Sequence, residues 1–174
     1  MRYTPSALRM LDSLRIPLQS IISRNLQEFA EAKILDLAET DENGREHWLQ
    51  PDAAEAWRKL KAAASMDGVQ IYIISAFRSI ERQAGIIKRK SDLGLSIQHI
   101  LTVSAPPFFS EHHTGCAVDI GAPESPALEP EFENTRAFRW LEENAESFGF
   151  RMSYPINNTN GYAFEPWHWR FMHG

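Results

Sequence analysis

Apolar residues at Leu18, Ile21, Ile22, Leu26, Phe29, Ala30 and onward to Leu37 recur mostly three or four positions apart, which predicts an amphipathic helix from Pro17 to about Ala38. Residues 40–50, TDENGREHWLQ, are polar and hold Asn43-Gly44, the strongest short turn signal in the chain. Pro51-Asp52 then opens a second helical pattern. Early acids, later Lys and Arg, and Gly68 beyond its end all agree with a helix start and stop. VQIYIISA, residues 69–76, is β-branched and aromatic and predicts a buried strand with Phe77-Arg78-Ser79 at its end.

Residues 80–95 predict a further helix, weakened by Gly85, followed by a loop from Ser104 to Ser110 that contains Pro106-Pro107. Cys116 to Ile120 reads as a short strand. Its alternation sets Cys116, Val118 and Ile120 on one face and turns Asp119 to the other. A Pro- and Glu-rich loop, APESPALEPEFEN, precedes an amphipathic helix over residues 135–148 closed by Gly149. After the turn-rich stretch Tyr154–Tyr162 comes a last strand, in which Trp167, Trp169 and Phe171 alternate with His168, Arg170 and Met172. The tryptophans are expected in the core, with His168 facing the opposite way.

Composition narrows the possibilities. At 174 residues and 43% hydrophobic the chain is sized for one domain with a substantial core. Its net charge of −5, without a basic cluster, argues against nucleic acid as a partner. Cys116 is the single cysteine, so no disulfide forms within the chain. No run approaches the roughly 18 apolar residues of a membrane span. The N-terminal stretch is broken by Arg9, Asp12 and Arg15 and lacks the pattern of a signal peptide, which leads us to expect a cytoplasmic protein. A periplasmic or envelope location is the alternative if the chain has been trimmed.

Two short segments carry the chemistry. SEHHTGCAVD, from Ser110 to Asp119, and EPWH, from Glu165 to His168, contain three imidazoles and three carboxylates. His112, Asp119 and His168 offer a three-donor set, and Glu165 stands three residues before the last of them. Zinc with three protein ligands keeps a position open for water, whereas a four-ligand site is structural. Each donor also has a commonplace role: a lone His is more often hydrogen-bonded than ligating, and Asp119 alone fits a turn or cap. His113 competes with His112, because neighbours on an extended segment face opposite ways. Arg78 fits a helix cap or carboxylate partner, and Gln83 an exposed helical residue.

SEHHTGCAVD resembles the SxHxxGxAxD motif, and EPWHWRF the ExWHxxY/F motif, of the VanY-type D-alanyl-D-alanine carboxypeptidases, members of the LAS group of zinc peptidases. The stretch from Leu49 to Gln83 is similar to that family's helix, strand and Arg-Ser-x3-Gln segment, so the likeness spans about Leu49 to Phe171. Ala76-Phe77 departs from the family's usual Gly-Tyr, and Cys116 falls at a variable position.

The resemblance implies an α+β, LAS/hedgehog-like fold in which a small, mostly antiparallel sheet carries the site and helices flank it. Chain length favours a single domain over residues 1–174, and residues 1–45, which lie outside the resemblance, are read as a helical N-terminal extension. The resemblance selects His112, Asp119 and His168 as ligands of one Zn2+ ion and Glu165 as the catalytic base. Arg78 then steadies the oxyanion or substrate, and Gln83 and Ser110 grip the substrate's terminal region. The implied activity is hydrolysis of the D-Ala-D-Ala bond of peptidoglycan stem peptides or their fragments. Rival readings are an L,D-carboxypeptidase or endopeptidase on the same peptides, a non-catalytic zinc-stabilised peptidoglycan-binding module, and an amidohydrolase acting on a small metabolite. His47, His99 and His173 match nothing in the motifs and are expected to face solvent.

Overall fold

Four short strands form the sheet on which the site is built: β3 (Tyr72–Ser75), β4 (Ala117–Gly121), β5 (Phe150–Met152) and β6 (His168–Phe171), in spatial order β3-β4-β6-β5 with every pair antiparallel. A separate hairpin pairs β1 (Asp36–Thr40) with β2 (Glu46–Leu49) around the expected turn, where Gly44 takes φ +78°. The computed structural model describes residues 3–172. Among them no helix is long and apolar enough to cross a membrane.

The second predicted helix is α3 (Pro51–Met66), with Pro51 and Asp52 in its first turn. Its buried residues Ala53, Ala54, Trp57, Leu60 and Ala64 fall on one stripe at helical spacing and pack on the sheet. The helix expected over 80–95 is α4 (Ile80–Asp92), capped by the Ser79 hydroxyl, which accepts from the Arg82 amide. The pattern over 135–148 resolves into α6 (Arg136–Asn144) and a 3-10 turn, Ala145–Phe148, ended by Gly149 at φ +83°.

The N-terminal expectation needs correction. Helix occupies only α1 (Pro5–Ser13) and α2 (Leu18–Ser23), and the segment expected to be helical to Ala38 leaves that state at Asn25. There Asn25 adopts φ +49°, its amide bonds to the Ile22 carbonyl, and the Leu26 amide reaches Ile21, a Schellman closure that stops the helix. Beyond it the backbone bonds to other parts of the chain, Phe29 to Phe108 and Ala32 to His113, and Asp36–Thr40 enters the hairpin. Residues 1–45 are therefore not a helical extension throughout. Neither α5 (Ile97–Val103), capped by Ser96, nor β5 had a counterpart in the sequence reading, and of the β1–β2 hairpin only the turn was expected.

Two apolar clusters result. One joins α3, α6 and the sheet through residues such as Trp57, Leu60, Val118, Leu141 and Phe150. The other joins α1, α2, α4 and α5 through Leu11, Ile21, Ile87 and Ile100, with Phe109, Tyr154 and Tyr162. Tyr154 and Tyr162 of the second cluster, and Phe164 and Trp167 packed against the first, face one cleft of about 600 Å³.

Candidate metal centre

Antiparallel pairing decides which donors meet. Asp119 on β4 is directly opposite His168 on β6 and also pairs with Ser75 on β3, so its carboxylate sits at the centre of the sheet. Every residue of β4 is buried. His112 enters from a 3-10 turn, Glu111–Thr114, that ends at Gly115 with φ +69°. A Cβ at Gly115 would come within 3.1 Å of the Gln50 amide nitrogen, so the turn that presents His112 requires a residue without one.

The three donors converge. His112 Nε2 lies 3.2 Å from Asp119 Oδ2, and His168 Nδ1 lies 3.0 Å from Asp119 Oδ1. One donor atom from each residue falls within 4.8 Å of the others. The far side of each imidazole is anchored: His112 Nδ1 donates to the Ala76 carbonyl at 2.7 Å, and His168 Nε2 donates to Glu111 Oε2 at 3.0 Å. These bonds leave His112 Nε2 and His168 Nδ1 as the nitrogens directed at Asp119, which is the arrangement of a metal site with oriented ligands. Tyr154 stacks on the His168 ring, centroids 4.6 Å apart.

Electrostatics separates the carboxylates. Burial opposes ionisation of Asp119, but His112 and His168 outweigh it and hold the carboxyl far below the usual range. Glu111 behaves similarly: despite burial, the bonds from His168 and Ser153 and the charge of Arg170 bring it down to about 2. Glu165 goes the other way. Burial pushes it up to about 7, against the pull of His168 and Arg78. His112 is lowered to about 4 by burial, whereas the carboxylates of Asp119 and Glu111 overcome burial at His168 and raise it to about 10. Two acids beside one histidine thus sit in opposite regimes, the pattern by which sites divide charge-holding from proton transfer.

All seven residues singled out from the sequence line the same cleft. Glu165 Oε2 lies 4.0 Å from His168 Nδ1. Arg78 is tied to the ligand segment through its backbone, its amide bonding to the His112 carbonyl, while its Nε is buried with no hydrogen-bond partner among the described residues. Gln83 is buried and not exposed: its amide nitrogen donates to the Ala105 carbonyl at 2.6 Å, and its Oε1 has no partner among the described residues. Ser110 is buried at the start of the His112 turn.

His113 is directed elsewhere. Its Nδ1 donates to the Arg78 carbonyl at 2.6 Å and its Nε2 accepts from the Phe108 amide at 3.2 Å, so both nitrogens are used in bracing the loop. His47, expected at the surface, is buried beside Asp41 of the hairpin turn, and His173 lies outside the described residues. Trp169 is core, but Trp167 is only partly buried and faces the cleft. Glu111, Tyr154 and Tyr162 were not singled out from the sequence. Glu111 adjoins a motif histidine and was legible as a neighbour, whereas nothing in the turn-rich segment marks its two tyrosines.

The VanY family, described as D-alanyl-D-alanine carboxypeptidase, matches residues 46–174. The chain belongs to this family. Among its relatives, it is 30% identical over 135 residues to the putative carboxypeptidase YodJ of Bacillus subtilis, a match that covers 76% of the chain and 49% of that protein. The chain thus spans about half the length of this relative. Among solved structures, a vancomycin resistance D,D-pentapeptidase VanY in complex with Zn(II) is 31% identical, with a TM-score of 0.63 over 84% of this chain and 81% of that one. The LdcB LD-carboxypeptidase, whose structure concerns peptidoglycan recognition, is 28% identical with a TM-score of 0.67, covering 83% of this chain and 65% of that one. The α+β architecture with its small antiparallel sheet is the one these structures share.

Proposed function

We propose that the cleft is the active site of a zinc-dependent carboxypeptidase that hydrolyses the terminal D-Ala-D-Ala bond of peptidoglycan stem peptides or their fragments. The observation that carries this reading is the convergence of His112, Asp119 and His168 within 4.8 Å, beside a carboxyl group, Glu165, raised to about 7. The donor set suits zinc: two imidazole nitrogens and one carboxylate oxygen, both rings fixed from behind, and only three protein ligands. When bound, zinc supplies a Lewis acid with an open position and lowers the pKa of water from about 15.7 to about 7.

The chain's own groups account for the rest. Glu165 takes a proton from the attacking water as its oxygen bonds to the scissile carbonyl carbon. It then returns that proton to the departing amine as the C–N bond breaks, leaving a shortened peptide with a new carboxylate and free D-alanine. A carboxyl group near pH 7 can both accept and release a proton, which is what this double duty asks. Arg78 donates to the carbonyl oxygen as negative charge grows there. Gln83 and Ser110 hold the peptide's terminal region, the unpartnered Gln83 Oε1 accepting from a substrate N–H.

The same water, base and arginine serve an L,D bond, because stereochemistry is read by pocket shape. Mass spectrometry of products from a defined stem pentapeptide and tetrapeptide separates the two. Loss of one residue from the pentapeptide alone is expected, and cleavage of the tetrapeptide alone would replace this reading with the L,D one. Glu165→Gln should keep stoichiometric zinc while losing turnover by about 10²–10⁴-fold. Loss of the zinc with the activity would contradict the role given to Glu165.

A further inference from the structure

We infer that Glu111 is a positioning residue that decides which nitrogen of His168 faces the metal. The inference rests on the metal reading above and adds a residue to it. An imidazole has two nitrogens of similar affinity for zinc, and the one left free is fixed by what holds the other. Here Glu111 Oε2 holds His168 Nε2 at 3.0 Å, which leaves Nδ1 toward Asp119.

Glu111 is itself held from three directions. Its Oε2 also accepts from the Ser153 hydroxyl at 2.6 Å, and its Oε1 accepts from Arg170 Nη1 at 3.2 Å. Arg170 lies over the Phe29 ring, 4.9 Å from its centroid, and Tyr154 covers one face of His168. The carboxylate therefore receives three donors from Ser153, just past β5, and from His168 and Arg170 on β6. A residue that only filled space here would need neither two acceptor oxygens nor a compensating arginine, and burying the pair without such bonds is costly.

The chemistry also says why a carboxylate is required. A glutamine of the same shape offers one acceptor oxygen to three donors and presents an N–H2 group in place of the other. Turned toward His168, that group would favour the tautomer protonated on Nδ1, the nitrogen the metal needs free.

Zinc affinity of wild type and Glu111→Gln, measured by competition with a chromogenic chelator, is the test. The variant is expected to bind zinc about 10–100-fold more weakly, the usual cost of losing a partner behind a ligand. Equal affinity would overturn the assignment while leaving the metal site intact. Wild-type protein that binds no zinc would overturn the metal reading and the assignment together. The wild type also answers without any variant: long-range 1H–15N spectra of the zinc-loaded protein should show the His168 proton on Nε2. A proton on Nδ1 with zinc on Nε2 would overturn it, whether or not the glutamine variant folds.

Discussion

A few residues in this protein are fixed by geometry that no other side chain reproduces. Gly115 is the clearest: it combines φ +69° with surroundings in which a Cβ would lie 3.0 Å from Leu35 and 3.1 Å from the Gln50 amide nitrogen. Gly115→Ala should therefore cost more than the roughly 1–2 kcal/mol of a left-handed alanine alone, read from the midpoint of urea unfolding. It should also weaken zinc binding, since the turn closed by Gly115 carries His112. An unchanged midpoint would show that the loop relaxes freely. At this scale much of the site was legible, because His112, Asp119, Glu165 and His168 sit in short motifs whose spacing survives on paper. Glu111 was legible only as a neighbour of His112; its role was not, for a physical reason: it depends on Ser153 and Arg170, more than forty positions away, and no local pattern announces such a partner. His47 misled in the opposite direction, because burial of a hairpin residue is decided by what packs over it.

Elements were legible where one pattern governed them. α3 has its Pro, its early acid, its apolar stripe and its closing glycine all in agreement, and it forms as expected. Residues 26–35 carry a helical spacing of apolar residues, yet the chain there forms no helix, and its Phe29 and Ala32 amides bond to the Phe108 and His113 carbonyls. Tertiary bonds overrode a local preference, as they readily do. We read residues 3–45, which precede the family match, as a brace for the cleft wall. Arg24 shows how: Nε bonds to the Asn160 carbonyl at 2.6 Å, Nη1 to the Leu101 carbonyl at 2.8 Å, and the guanidinium lies 4.2 Å from the Tyr162 ring centroid. Two charge-assisted bonds and a cation–π contact predict a loss of about 2–4 kcal/mol for Arg24→Ala in urea unfolding. In steady-state kinetics KM should rise more than kcat falls, because Tyr162 lines the cleft and packs on Tyr154. A change confined to kcat would contradict the bracing role.

Across the whole molecule, two apolar clusters meet at a cleft whose floor is a buried, charged sheet centre. The α+β class was legible through the family resemblance; the division into two clusters was not, since α5, β5 and the bend at Asn25 leave weak traces in the sequence. A ligand that binds the folded chain but not the unfolded one raises stability by mass action. Free zinc at about 100 times its dissociation constant should add about 2.7 kcal/mol, near 5–10 °C in Tm for a chain of this size, and a chelator should reverse it. Calorimetry that finds no such shift would count against a preformed site.

The most direct measurement is an anomalous difference map at the zinc edge from crystals of the zinc-loaded protein. We expect one strong peak bounded by His112 Nε2, an Asp119 carboxylate oxygen and His168 Nδ1, each at about 2.0–2.2 Å, with Glu165 near the ion but outside its ligand shell. A peak lodged elsewhere, or an ion that takes Glu165 as a fourth protein ligand and closes the site, would contradict the account.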